Sequence, residues 1–157
     1  TVFRCSNDEG RKFAIKRTSP FALTTPTLTR LIQEAALLNE ISTQIENFSH
    51  RFLQLEEGYI DKEGGFCLVT ELVEGFELLA LAELFPVGVP EYIVKTIMKQ
   101  TLEAIEELHN KDIAHCDLKL ENIMLDTTTN EIKIIDFGFA CRTSVYNRER
   151  KMKQQTR

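Results

Sequence analysis

His115-Cys116-Asp117-Leu118-Lys119-Leu120-Glu121-Asn122, followed by Ile134-Ile135-Asp136-Phe137-Gly138, is the stretch that decides the fold. Between the two motifs, residues 122–125 and 132–135 are short apolar runs around Asp126-Thr127-Thr128-Thr129-Asn130. Such turn-forming side chains between apolar runs predict a hairpin. Ahead of the first motif, Pro90 opens a segment to about Asn110 in which Ile93, Ile97, Leu102, Ile105 and Leu108 recur at helical spacing. A helix, a polar loop and a hairpin thus deliver two aspartates, a lysine and an asparagine within a short span. Either aspartate alone reads as a surface or turn carboxylate. Two motifs in this order, joined by a hairpin, are far more specific than either one.

Outward toward the N-terminus, residues 1–5 and 11–17 surround Ser6-Asn7-Asp8-Glu9-Gly10 and predict a second hairpin. Phe13 and Ile15 alternate there with Ala14 and Lys16, so Lys16 shares a face with Ala14. Residues 26–46 predict a helix, with Thr25 as its cap and Pro26 at the first helical position. Leu28, Leu31, Ile32, Ala35, Leu38 and Ile41 form its apolar stripe, and Glu34 lies at one edge. Residues 51–56 and 66–73 predict strands joined at Gly64-Gly65, the second nearly all apolar and so buried on both faces. Residues 76–85 predict a short helix. Strands with one helix, then mainly helix with a small hairpin, place the chain in the α+β class with two lobes.

Bulk composition agrees with a globular chain: 157 residues, 43% hydrophobic and 27% charged. No apolar run approaches the roughly 20 residues of a membrane-spanning helix, and Thr1-Val2-Phe3-Arg4-Cys5 has no signal-peptide shape. The missing initial Met suggests a fragment. Cys5, Cys67, Cys116 and Cys141 show neither CxxC pairing nor a disulfide rhythm, which predicts free thiols in a reducing, cytoplasmic compartment. Zinc is not expected, since no His sits at ligand spacing from a Cys. The net charge is −5, but residues 142–157 carry +5 and the remainder −10. A solvated, flexible tail is the simpler reading of those charges. Only Tyr146 interleaves with them, so nucleic acid is not an expected partner.

The two motifs together resemble the catalytic loop and the metal-binding Asp-Phe-Gly motif of protein kinases. The resemblance implies a protein-kinase-like two-lobe fold, truncated, over residues 1–157. Residues 1–72 would form the first lobe from its second strand onward. Residues 73–141 would form the hinge, first helices, catalytic loop and metal motif, and 142–157 the start of the activation segment. It further implies phosphoryl transfer from ATP with Mg²⁺ to a protein Ser or Thr hydroxyl. Such chemistry depends on positioning and charge neutralisation more than on covalent work. Asp117 would accept or orient the substrate proton, and Lys119 would offset charge on the transferred phosphate. Asn122 and Asp136 would hold Mg²⁺. Phe13-Ala14-Ile15-Lys16 resembles the strand whose lysine grips the α- and β-phosphates, and Glu34 the helical glutamate that pairs with it, with Glu40 the competing choice. Leu68-Val69-Thr70-Glu71-Leu72-Val73 resembles the strand into the hinge. There Thr70 would be the gatekeeper, and the backbones of Glu71 and Val73 would meet the adenine edge. Val2 and Ala14 would roof the adenine and Met124 floor it, Glu77 would meet the ribose, and Glu121 would be a further nucleotide-binding residue. Leu38, Leu55, His115 and Phe137 match a stacked apolar spine and should be buried.

Three departures accompany the resemblance. The Gly-rich phosphate lid is absent, which should weaken ATP binding. No Ala-Pro-Glu motif follows, so supporting helices are missing and exposed apolar surface is expected. Cys116 replaces the arginine that normally precedes the catalytic aspartate, which implies activity not switched on by activation-segment phosphorylation; a quiet buried thiol is expected there. Two other readings share some of these residues. One is a truncated pseudokinase-like scaffold. The other is a small-molecule phosphotransferase of the aminoglycoside or choline type, against which Phe137-Gly138 after Asp136 speaks.

Overall fold

A computed structural model describes residues 1–44 and 49–143. The charged tail beyond Thr143 lies outside the described residues. β1 (Val2–Ser6) and β2 (Lys12–Thr18) form the N-terminal hairpin. Asn7 Oδ1 closes its turn by accepting the N–H groups of Glu9 and Arg11. The helix α1 (Thr25–Gln44) follows. Its cap is Thr24 rather than Thr25: Thr24 Oγ1 accepts the Thr27 N–H at 3.4 Å. Pro26 still falls in the first turn, where a missing N–H is harmless.

β3 (Leu55–Ile60) and β4 (Phe66–Glu71) complete an antiparallel sheet in the order β1-β2-β4-β3. β3 starts later than the apolar pattern suggests. Phe52 and Leu53 leave the sheet to bridge Ile134, where Phe52 is fully buried. β4 runs with five consecutive buried residues, as a two-sided strand should.

β5 (Gly75–Glu77) precedes α2 (Leu78–Glu83), so the start of the expected short helix is a strand. The long helix α3 (Glu91–Asn110) begins after Pro90 as anticipated. A two-residue strand β6 (Ile113–Ala114) leads to the first motif. β7 (Ile123–Asp126) and β8 (Glu131–Ile134) form the C-terminal hairpin, and β5 joins it in the order β5-β7-β8. β9 (Cys141–Arg142) pairs with β6. No helix among the described residues is long and apolar enough to cross a membrane.

One apolar core joins both halves. Leu31, Leu38 and Ile41 of α1 and Leu68 of β4 belong to the same cluster as Ala104, Leu108, Ile123, Ile134 and Phe137. Two expected core positions are exposed instead, Ile32 and Leu102. Each residue turns a helix by about 100°. Leu102 is five residues beyond Ile97 and falls off the buried line, which runs through Thr101, Ala104 and Leu108. Ile32 is likewise one step around from Leu31.

Candidate active site

Cross-strand partners in a sheet share a face. Val2 stands opposite Lys16, Lys16 opposite Leu68, and Ala14 opposite Thr70. Val2, Ala14, Lys16 and Thr70 therefore line one face of the first sheet, although Val2 is largely exposed. Lys16 reaches from that face to α1, where Nζ donates to Glu34 Oε1 at 2.9 Å and Oε2 at 3.2 Å. Its third contact is Asp136 Oδ1 at 3.2 Å. Glu40, the alternative partner, is occupied elsewhere: both its oxygens take Arg142 Nη2 at 2.5 Å.

One ammonium thus serves two carboxylates, and the cluster carries an excess negative charge. Burial works against a charged Lys16, but the charges and hydrogen bonds of Glu34 and Asp136 outweigh it and hold the ammonium above its ordinary value. Glu34 is the more buried carboxylate. Burial pushes it up, Lys16 pulls it down, and Asp136 pushes it up again, so its net shift is upward.

The first motif packs beneath this cluster. Cys116 adopts a left-handed φ of 63°, and so does Asp136 at 60°. For side-chain-bearing residues that conformation costs about 1 kcal/mol or more, and here it turns both aspartates out of their strands' paths. Gly138 itself has no left-handed φ among the described glycines. Its value lies in space: a Cβ there would sit 3.2 Å from Asp136 Oδ1 and 3.5 Å from Glu34 Oε2.

Asp117 Oδ2 accepts Lys119 Nζ at 2.9 Å and Asn122 Nδ2 at 2.9 Å. The Lys119 hydrogen bond, more than offsetting burial and aided by Asn122, holds the Asp117 carboxyl below its usual range. Asp117 in turn raises Lys119. Asn122 is buried and also donates to the Asp117 carbonyl at 2.8 Å, so its own carbonyl oxygen remains an acceptor. The two motifs are stitched together one residue before Asp136. Ile135 N–H donates to Asn122 O at 2.9 Å, and Ile135 O bonds His115 Nε2 at 3.0 Å. His115 stacks edge-on against Phe137 with ring centroids 5.0 Å apart. Leu38, His115 and Phe137 are fully buried, whereas Leu55 is only half-buried at the frayed start of β3.

Among the residues expected to contact the nucleotide after the middle of β4, Val73 is buried, Glu71 half-buried, and Glu77 and Glu121 exposed. Met124 is half-buried and stands opposite Glu77 in the β5–β7 ladder. Cys116 is not the buried thiol expected. It is exposed, with its Sγ 3.6 Å from Cys141 Sγ. A groove of about 750 Å³ along α3, lined by Lys95, Met98, Leu102 and Ile105, includes none of these residues.

The residues brought together are an ammonium between two carboxylates, a charge-paired aspartate and a buried asparagine, beneath one face of the first sheet. Phosphoryl transfer depends on positioning and charge neutralisation, and such a set of charged and amide groups is chemically suited to both. The family description "Protein kinase domain" matches residues 1–156, and the chain belongs to that family. It is 35% identical over 118 residues to the dual specificity protein kinase YAK1 of Saccharomyces cerevisiae, a match covering 73% of this chain and 14% of that protein. It is 34% identical over 110 residues to human serine/threonine-protein kinase D3, covering 69% and 12% respectively. It is 27% identical over 135 residues to serine/threonine-protein kinase CLA4 of Candida albicans, covering 86% and 13%. The chain thus spans a small part of the length of the relatives it matches.

Proposed function

We propose that this chain carries the phosphoryl-transfer centre of a protein serine/threonine kinase, moving the γ-phosphoryl group of ATP to a Ser or Thr hydroxyl of a protein substrate. The observation that carries the reading is Lys16 held between Glu34 and Asp136, with Asp117, Lys119 and Asn122 bonded into the same motif pair. In this reading residues 1–72 form one lobe and 73–141 the hinge and the start of the other. Lys16, kept cationic by its two carboxylates, grips the α- and β-phosphates, and Glu34 fixes its reach. Val2, Ala14, Thr70 and Met124 enclose the base, the backbones of Glu71 and Val73 meet its edge, Glu77 meets the sugar, and Glu121 is a further nucleotide-binding residue.

The donor set suits Mg²⁺. Asp136 offers a half-exposed carboxylate and Asn122 a carbonyl oxygen, both hard ligands, and Mg²⁺ on a nucleotide asks for few protein ligands. Bound there, Mg²⁺ would neutralise charge on the phosphates. Asp117, held ionised by Lys119 and Asn122, is a weak base and orients the substrate hydroxyl. Lys119 offsets charge on the phosphoryl group in flight. An intracellular, reducing compartment fits four cysteines without disulfide spacing.

Melting this chain with and without Mg·ATP tests the reading. A rise in midpoint is expected, absent in Lys16→Met and Asp136→Ala. Labelled phosphate transferred to a generic basic protein should disappear in Asp117→Ala. No shift in the parent chain would refute the nucleotide site, and a shift without transfer would mark a binding module.

A further inference from the structure

No motif draws attention to Lys133, yet it is among the few buried charged residues of the described chain. A buried ammonium is costly unless paired, and Lys133 Nζ donates to Glu71 Oε1 at 2.7 Å. The same oxygen accepts the Gln54 N–H at 2.8 Å, and the Glu71 N–H donates to Gln54 O at 3.1 Å. Glu71 is therefore clamped at both side chain and backbone, at the last residue of β4. Lys133 also stands opposite Met124 in the β7–β8 ladder. One side chain thereby ties the end of β4 to the strand pair that presents Met124 and leads to Asp136.

We propose that Lys133 is a positioning residue for base recognition. Through Glu71 it fixes the peptide groups after β4 against Met124, and so sets how strictly the site prefers an adenine edge to a guanine edge. The inference rests on the nucleotide reading above. At the relevant position adenine presents an amine donor and guanine a carbonyl acceptor. The Glu71 carbonyl takes the Thr70 hydroxyl at 3.2 Å and keeps a second lone pair, which accepts from the amine of adenine but meets the carbonyl of guanine lone pair to lone pair, a mismatch that a fixed site penalises strongly. A peptide group free to turn can present its N–H instead, and the distinction fades.

The test is titration of the parent chain with Mg·ATP and Mg·GTP, alongside Lys133→Met, Lys133→Arg and the double variant Lys133→Met/Glu71→Gln. The double variant leaves no orphaned charge and so guards against simple misfolding. ATP affinity should fall about ten-fold in Lys133→Met and in the double variant, the scale of one mispositioned hydrogen bond. The ATP-to-GTP preference should narrow in both, and Lys133→Arg should keep most of it. A lower melting midpoint with an unchanged ATP-to-GTP ratio would show a purely structural role and overturn the proposal. A parent chain that binds neither nucleotide would overturn the nucleotide reading itself and this inference with it.

Discussion

His115 shows how a single side chain can be read from its bonds. Asp117 N–H donates to His115 Nδ1 at 3.3 Å, so the ring hydrogen sits on Nε2 and is donated to Ile135 O. The neutral ring is the one this site accommodates. Burial pushes the imidazole below its ordinary value, against the weaker upward pull of the Ile135 carbonyl, Asp136 and Asp117. In the unfolded chain the ring takes its proton near pH 6.5, but in the folded chain only at lower pH. Between those points the unfolded state binds more protons, so this contribution to stability is full above pH 6.5 and drains away as pH falls through the folded value. Urea midpoints measured at pH 7.5 and 5.5 should fall more in the parent than in His115→Gln, whose carboxamide does not titrate. Equal losses in the two proteins would count against the assignment.

At the scale of elements, the approach of β5 to β7 is set by Gly75. A Cβ at that position would lie 1.9 Å from Leu125 O, an impossible contact with backbone. Gly75→Ala must therefore push the strands apart, at a cost of about 2 kcal/mol, read as a lower denaturation midpoint; a parent-like midpoint would mean the ladder is free to shift. The elements that sequence disclosed well were those with local signals. The N-terminal hairpin had its Asn-Asp-Glu-Gly turn, α3 its proline start, and the C-terminal hairpin its threonine-rich turn. Those that escaped depend on distant partners. β6 and β9 are too short to carry a period, and β3 begins late because Phe52 is claimed by Ile134 and Phe137. The same holds within the site. Glu34 could be paired with Lys16 by motif, but Lys133 with Glu71 and Arg142 with Glu40 are salt links across long sequence separations, and no spacing announces them.

On the scale of the whole molecule, a continuous core joins the two halves, yet α3 gives only part of its circumference to it. Val94, Met98 and Leu102 are exposed at four-residue spacing along that helix, and such a stripe is apolar surface that water does not favour. Static light scattering should show mass rising with protein concentration. Leu102→Gln combined with Met98→Lys should suppress that rise while leaving the Mg·ATP melting shift intact. Identical scattering from the variant and the parent would clear this stripe of any role. Because contact between such stripes is driven by dehydration, it weakens on cooling and strengthens with sulfate. Cold, sulfate-free buffer is therefore where this molecule should stay dispersed, and a warm salting-out step is where it should be lost.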